Sequence, residues 1–165
     1  MSDFDWSRFT IKINIDAPLE AIYMAWTIPD MLEKWFLRRA VFHNDSGTCA
    51  PDKMIQEGNR YEWYWHGHND DVVEKGKVIE TDGIRKLVFS FTAGALVTVD
   101  IGEVAGEKIV MLTQEKIPTD EHGKIYYHMG CKEGWTFYLA NLKSYLEGGI
   151  DLRNKNTMLA HMVNA

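Results

Sequence analysis

The clearest hydrophobic pattern lies between Cys131 and Gly149, where apolar side chains recur every three or four residues. This spacing places them on one side of an α-helix. Gly148 and Gly149 close the pattern, and glycine is typical of the point at which a helix ends. We therefore predict one long helix with an apolar stripe. The stripe consists of Trp135, Tyr138, Leu139, Leu142, Tyr145 and Leu146, and His128 and Cys131 extend it backwards.

Most of the chain before this helix alternates between apolar and polar residues, which is typical of strands with one buried face. The last four strands are joined by short turns, so they form an antiparallel meander. Two short helices, bent at Ile28-Pro29, follow the first strand, and Asp16 and Asp30 are predicted to cap them. Residues 44–58 are predicted to be mainly loop. The predicted strands are residues 9–16, 37–43, 60–66, 72–81, 85–92, 96–104 and 108–116.

This order of elements predicts an α+β fold in which a curved antiparallel sheet of six to seven strands wraps around the long C-terminal helix. The apolar face of the sheet and the stripe of the helix bury each other. The chain of 165 residues is predicted to be a single domain, with a core at 8–149 and a tail at 150–165. Met158, Leu159, Met162 and Val163 are expected to add a helical turn or two, docked on this chain or on a partner.

Charge and cysteine content exclude several classes of function. The formal net charge is -6, and no Lys/Arg cluster is longer than Arg38-Arg39, so neither nucleic acid nor an anionic membrane is an expected partner. The two cysteines match no zinc-binding spacing. The first ten residues lack the features of a signal peptide, and no segment approaches membrane-spanning length, so no membrane insertion is expected. We expect a cytoplasmic protein with reduced thiols.

Short local sequences occur along the chain in a distinctive order. They are Ala17–Tyr23 with Trp26-Thr27 and Trp35-Phe36, then Gly58 with Tyr61, Trp63 and Trp65, then Gly76–Glu80, Leu87–Phe91, and Gly134-Trp135 with Leu139, Leu142 and Tyr145–Glu147. Their order and spacing resemble the START-like, or SRPBCC, superfamily. The most similar branch is the AHSA type, relatives of the activator of the heat-shock chaperone ATPase. The resemblance covers roughly residues 8–149.

The resemblance implies a helix-grip fold with a cavity between the sheet and the long helix. Members of the superfamily bind lipids, sterols, polyketides or plant hormones, and some catalyse cyclisation or dehydration. They share no catalytic motif, so the resemblance assigns no catalytic residue to this chain.

Large aromatic and apolar side chains are predicted to converge between sheet and helix, where they are candidates for binding a ligand. The same side chains suit a packed core, so the pattern leaves open whether they line a cavity or fill it. Polar groups of Tyr64, His66 or His128 would orient the polar end of a ligand. The candidate set is Trp26, Trp35, Trp63, Tyr64, Trp65, His66, Phe89, Phe91, Met111, His128, Cys131, Trp135, Tyr138, Leu139 and Leu142.

Three groups of polar residues could bind a metal or take part in catalysis, but each also has a purely structural explanation. Residues 66–71, which contain His66 and His68, carry donors that zinc accepts, but their Gly, Asn and Asp content favours a solvated turn. His128 and Cys131 have the spacing for contact, although no third group that would orient them is evident. Glu103 and Glu115 lie in predicted strands, where solvent exposure is the usual state.

The function predicted first is the binding of a hydrophobic or amphipathic small molecule between the sheet and the C-terminal helix. One alternative is a co-chaperone-like interaction module that contacts a chaperone or a second copy of itself through the outer sheet face or the tail. The other is an enzyme of the cyclase or dehydratase type that uses His66, His128 and Glu115. A binding protein without a cofactor or metal is favoured over an enzyme, because no nucleotide fingerprint, nucleophile elbow or zinc-protease motif is present.

Overall fold

A computed structural model describes residues 3–165. The strands are β1 (Phe9–Ile15), β2 (Arg39–Asn44), β3 (Gly47–Thr48), β4 (Arg60–Tyr64), β5 (Glu74–Thr81), β6 (Lys86–Phe91), β7 (Ala95–Val104) and β8 (Glu107–Glu115). The helices are α1 (Leu19–Thr27), α2 (Pro29–Trp35) and α3 (Gly130–Leu146). A π-helical segment, Gly123–Met129, leads directly into α3.

The eight strands form one antiparallel sheet in the order β1-β8-β7-β6-β5-β4-β2-β3. Helix α3 packs on one face of it, called here the inner face, and α1 and α2 complete the cover. The predicted α+β helix-grip fold, with two short helices after the first strand, is therefore confirmed. The eighth strand is β3, a two-residue edge strand inside the segment that was predicted to be loop. The predicted single domain includes residues 1–2, which lie outside the described part of the chain.

The alternating sequence of the strands explains which side chains reach the core. In β8, Val110, Leu112 and Gln114 are buried, whereas the residues between them are only partly covered. The predicted helix stripe behaves in the same way, because Trp135, Tyr138, Leu139 and Leu142 are buried and Tyr145 and Leu146 are half-buried against the core.

The predicted caps at Asp16 and Asp30 are wrong. Helix α1 follows Pro18 and α2 begins at Pro29, and neither has a side-chain cap. Proline suits the first turn of a helix because its missing N–H would have no partner there. The backbone N–H of Asp16 instead donates to the Glu147 carboxylate over 3.0 Å, which ties the end of β1 to the end of α3.

The tail after α3 contains no helix, so the helical turns predicted around Met158 and Met162 are wrong. It is an irregular segment with turns, and polar contacts hold it in place. The buried Arg153 guanidinium donates to the carbonyl oxygens of Leu37 over 2.9 Å and Glu33 over 3.0 Å. The buried Asn141 amide of α3 donates to the Trp35 carbonyl oxygen over 2.7 Å and accepts from the Leu152 N–H over 2.7 Å. These contacts replace the apolar packing that a helix would have required.

Within residues 3–165, no helix combines the length and the apolar character needed to cross a bilayer.

Candidate functional site

An apolar cleft of about 130 Å³ lies between α3 and the inner face of the sheet. Four aromatic contacts define its shape, because the Phe36 ring centroid lies 5.2 Å from Trp135, 4.9 Å from Tyr138 and 5.8 Å from Trp65, and Phe91 lies 5.4 Å from Trp135. Five rings thus surround one small space, which we call the aromatic cleft. Its lining residues are Phe36, Trp65, Phe91, Cys131, Gly134, Trp135 and Tyr138.

Most of the predicted cavity beneath this cleft is filled by side chains. The predicted candidates Trp26, Trp35, Trp63, Phe89, Leu139 and Leu142 are all buried in the hydrophobic core. Trp26 and Trp35 make an edge-to-face pair with ring centroids 4.7 Å apart, a preferred aromatic geometry. The sequence left open whether these side chains line a cavity or fill it, and in this region they fill it. Large rings occupy the interior, and a small cleft remains above them.

Four predicted site residues lie away from the cleft, and each has a geometric reason. Met111 and Tyr64 fall on the outer face, because they alternate with the buried Leu112 and Trp63. The Tyr64 ring there faces the Arg39 guanidinium at 4.0 Å. The other two are His66 and His128, which sit in different surroundings.

His66 lies beside the tail. Burial lowers the pKa of its imidazole, and the positive charges of Arg153 and Lys155 lower it further. His128 is buried in a separate aromatic cluster with Phe4, Trp6 and Phe9, and its Nδ1 is 3.0 Å from the Trp6 carbonyl oxygen. The spacing of His128 and Cys131 allowed a contact between them, but the hydrogen bond and ring contacts of His128 are with the N-terminal segment. Of the predicted set, Trp65, Phe91, Cys131, Trp135 and Tyr138 are the residues that meet at the cleft.

Glu74 was not among the predicted residues, but it lies opposite Trp63 in the β4–β5 pairing, and its charge acts on Cys131 of the cleft. Glu74 alternates with Gly76 and Val78 along β5. Val78 is buried, and a Cβ on Gly76 would meet the Tyr61 ring at 2.4 Å, so all three positions face inward. Because β5 lies between β4 and β6, Glu74 is flanked by the strands that lead to Trp65 and to Phe91. The two-residue spacing of Glu74, Gly76 and Val78 is the signal that would have identified it.

Glu74 is half-buried, and no residue among 3–165 makes an ion pair or hydrogen bond with its carboxylate. Burial raises the pKa of this carboxyl group. Its negative charge in turn adds to the effect of burial in raising the pKa of the Tyr61 hydroxyl and of the Cys131 thiol. A carboxylate that is half removed from water without a partner carries an electrostatic cost. A cation or a hydrogen-bond donor placed beside it would relieve that cost.

Two polar groups that line the cleft have internal partners, whereas the buried indole N–H groups of Trp26 and Trp63 beneath it have no hydrogen-bond partner within residues 3–165. The Trp135 indole N–H donates to the Gln114 side-chain oxygen over 2.9 Å, inside the core. The Tyr138 hydroxyl donates to the carbonyl oxygen of Ala165 over 2.7 Å, and burial raises its pKa. Glu74 is the charged side chain near the cleft that has no partner among residues 3–165.

Gly134 and Phe36 were also absent from the predicted set. An added Cβ at Gly134 would meet no atom within 4 Å, so this glycine leaves open space on the α3 side of the cleft. It shares the helical stripe with Cys131 and Tyr138 at spacings of three and four, which is the pattern that would have shown it. Phe36 follows α2 directly and packs between that helix and α3.

A larger depression of about 660 Å³ lies on the outer face, across β1, β7 and β8. Charged side chains surround it, among them Lys12, Arg85, Asp100 and Glu103. It is about as open to solvent as the aromatic cleft, but no charged side chain of residues 3–165 lines the cleft, and small-molecule sites usually carry only a few polar groups among apolar walls. The aromatic cleft is the better candidate for a site in spite of its smaller volume.

No three His, Cys, Asp or Glu side chains among residues 3–165 are grouped in a way that would hold a metal ion. The segment from His66 to Asp71 forms turns, with Gly67 at φ 81°. Glu115 alternates with the buried Gln114 and falls on the outer face. Glu103 pairs with Lys108 at 2.5 Å.

Comparison with solved structures finds the same architecture in several bacterial proteins. A Staphylococcus saprophyticus protein aligns with a TM-score of 0.69 at 18% identity, over 88% of this chain and 96% of that one. The Aha1 dimer from Colwellia psychrerythraea gives 0.65 at 19%, over 86% and 97%. CalU16 from Micromonospora echinospora gives 0.62 at 19%, over 92% and 79%. At these identities the likeness establishes the fold alone.

A comparison with curated proteins gave no match. A family model does match residues 16–147, which is most of the chain, and it includes both short helices, the meander and α3. This confirms the resemblance drawn from the local sequences. The chain belongs to the family described as Activator of Hsp90 ATPase homolog 1-like protein.

Proposed function

We propose that the protein binds a small hydrophobic or amphipathic molecule whose apolar part enters the aromatic cleft. The observation that supports this most directly is the convergence of five aromatic rings around open space on the inner face. A well-packed interior seldom leaves voids larger than a water molecule. The cleft of about 130 Å³ is an apolar space above that interior, open to solvent, which the apolar part of a ligand would fill.

The size of the cleft limits the ligand. An apolar cavity of about 150 Å³ holds one benzene-sized molecule, whereas pockets for drug-sized ligands begin at about 300 Å³. The cleft of this protein therefore accommodates one ring or one compact alkyl group. A whole sterol or an acyl chain would need the space that Trp26, Trp35 and Trp63 occupy.

The test is to fill the cleft from the helix side. A Cβ at Gly134 would meet no atom within 4 Å, so a leucine there would extend into the open space, and the change would also remove a glycine from a helix interior. We expect the variant to fold with at least the native melting temperature and to lose the thermal shifts that small aromatic and aliphatic compounds give with the native protein.

The matched control is Gly130→Leu, which adds the same side chain to an exposed position of α3 outside the cleft. Native mass spectrometry of freshly purified protein would show any molecule that co-purifies. If no compound shifts the melting temperature of the native protein, or if the Gly134 variant responds as the native protein does, the proposal is wrong.

We also propose self-association, for which a different surface provides the support. Ile125, Tyr126 and Met129 are exposed, and Met129 lines a groove with Phe137 and Val163 on the side of α3 away from the sheet. The Colwellia psychrerythraea neighbour is described as a dimer. The expected result of sedimentation velocity is a concentration-dependent dimer that Met129→Glu disrupts and Ile84→Glu, in the distant β5–β6 turn, does not. A monomer at every concentration would contradict this.

The two other predicted functions have less support. A co-chaperone role draws on the description of the family alone, and we assign it to no particular surface among residues 3–165. The cyclase or dehydratase alternative relied on His66, His128 and Glu115, and these three lie beside the tail, in the N-terminal aromatic cluster and on the outer face. We therefore favour binding over catalysis.

A further inference from the structure

We infer that the aromatic cleft recognises an alkylammonium group, held by the faces of its five aromatic rings and by the carboxylate of Glu74. The inference rests on the proposed binding function and specifies the chemistry of the ligand. It is based on two features that occur together, although each is common by itself. One is the ring-lined cleft, and the other is a half-buried carboxylate with no partner on the same sheet face.

The rings provide the first half of the argument. The face of an aromatic ring carries partial negative charge and attracts cations within about 6 Å of its centroid. Trp, Tyr and Phe side chains all contribute to the cleft, and tryptophan binds cations most strongly. Rings that approach one small space from several sides suit a compact, roughly spherical cation rather than a flat one. A methylated ammonium group has that shape, and its methyl surface is itself compatible with apolar walls.

Glu74 provides the second half. A purely apolar ligand would bury the mouth of the cleft further and leave this carboxylate without a partner, which is costly. An ammonium group beside Glu74 turns the electrostatic cost of burying the carboxylate into a stabilising interaction. Opposite charges at short range attract strongly where water is partly excluded. The half-buried position of Glu74 strengthens this attraction, because ion pairs that are fully exposed to solvent contribute little free energy.

The charges around the cleft agree with this choice. Neither Lys nor Arg is among the residues that line it. The chain as a whole carries a formal net charge of -6, which favours the approach of cations over anions. An acidic ligand would meet both the overall charge and Glu74, so fatty acids are excluded as preferred ligands by the same argument.

The experiment compares choline with its neutral analogue, in which a carbon atom replaces the ammonium nitrogen. The two have the same shape, so their difference in affinity isolates the charge. We expect choline to bind about tenfold more tightly, as measured by calorimetry or by tryptophan fluorescence. The Glu74→Gln variant should lose most of that preference and keep its affinity for the neutral analogue. Glu80→Gln, which removes the same charge from an exposed position of β5, should keep the preference.

The outcomes separate this inference from the proposed function. Equal binding of choline and the neutral analogue overturns ammonium recognition and leaves small-molecule binding intact. Binding of neither overturns ammonium recognition, and the thermal shifts with small aromatic and aliphatic compounds then decide whether the proposed function stands. A further arm uses short-chain phosphatidylcholine below its micelle concentration. Binding tighter than that of choline supports ammonium recognition and assigns the group to a lipid headgroup, whereas weaker binding supports it and assigns the group to a free amine.

Discussion

The hydroxyl group of Tyr138 donates a hydrogen bond of 2.7 Å to the carbonyl oxygen of Ala165. Tyr138 is a wall of the aromatic cleft, and Ala165 lies in the tail that follows α3, so one side chain joins the two. The tail is closed on itself in the same region, because the Asn154 N–H donates to the Asn164 carbonyl oxygen over 2.6 Å. The cleft and the tail are therefore expected to respond to the same perturbations.

Removing this hydroxyl group tests the connection. Tyr138→Phe keeps the ring and deletes the donor, so the core should lose only about 1 kcal/mol of unfolding free energy, the typical value of one hydrogen bond. Hydrogen exchange should become faster at the Asn154 amide and remain unchanged in β7 and β8. Tyr145→Phe is the control, since Tyr145 is half-buried on the same helix and lies outside the cleft. Unchanged exchange in the tail would show that the bond does not hold it.

Cys131 offers a chemical test of occupancy. Burial raises the pKa of its thiol, and the charge of Glu74 adds to this. Because the thiolate is the reactive form, alkylation of Cys131 should be slower than that of a free cysteine at neutral pH. A ligand in the cleft should slow it further. The measurement uses a Cys49→Ala background, so that a single thiol reports. Fast modification that choline does not retard would place the thiol outside the binding site.

The anchor of the tail should depend on pH. Partial burial disfavours ionisation of Asp151, but hydrogen bonds from Arg153, Lys155 and Asn141 outweigh it and hold the pKa of the carboxyl group well below its usual range. A lowered folded-state pKa means that the stabilisation is complete above the unfolded value of about 3.9 and is lost as the pH falls through the folded value. Arg153→Met should cost roughly 2 kcal/mol of unfolding free energy at neutral pH.

The difference between native and Arg153→Met protein should shrink as the pH falls below about 4 toward the lowered folded-state pKa of Asp151, because the carboxylate is protonated in the variant before it is in the native protein. Chemical denaturation at several pH values gives this difference directly. Lys155→Met is the control, since Lys155 is exposed and its ion pair with Asp151 should contribute less than about 1 kcal/mol. A difference for Arg153→Met that is constant down to the acid limit would contradict the assignment.

Binding of an ammonium ligand should weaken in acid. Glu74 has a raised pKa, so its carboxylate is protonated at a higher pH than an ordinary glutamate and then no longer attracts a cation. The groups affected by its charge are Tyr61 on β4 and Cys131 on α3, and both stay neutral in acid because their pKa values are also raised. The affinity for choline should therefore fall with pH in the native protein, and Glu74→Gln should remove that dependence. A fall of equal size in the variant would assign the effect to another group.

Much of the fold could be predicted because the periodicities of its elements are local properties. Alternation identified the strands of the meander, and the stripe from Trp135 to Leu142 identified α3. The tail could not be predicted in this way. Its position depends on Arg153 and Asn141. Each donates a hydrogen bond to a carbonyl oxygen more than a hundred residues earlier in the chain, Arg153 to Leu37 and Asn141 to Trp35 on α2. No local pattern records such partners.

Residue type alone could indicate only part of the candidate site, because it does not show how deep a side chain lies in the fold. Aromatic residue type selected both the cleft walls and the core beneath them, since Trp63 and Trp65 look alike in sequence and differ only in depth. Met111 and Tyr64 were chosen as candidates by residue type, although the alternation along β8 and β4 puts them on the outer face. Glu74 and Gly134 were missed because a charged residue and a glycine give no apolar signal, although their spacing along β5 and α3 placed them inward.

The most direct test of the account is a map of the binding site by nuclear magnetic resonance. The chain is labelled with nitrogen-15 and titrated with choline, and the indole N–H signals of Trp65 and Trp135 and the backbone amide of Gly134 are followed. The account predicts that these three signals shift together and saturate, while the amide of Met111 on the outer face does not move. Shifts centred on Met111 and the outer-face depression, or no saturable shift at the three cleft signals, would contradict it.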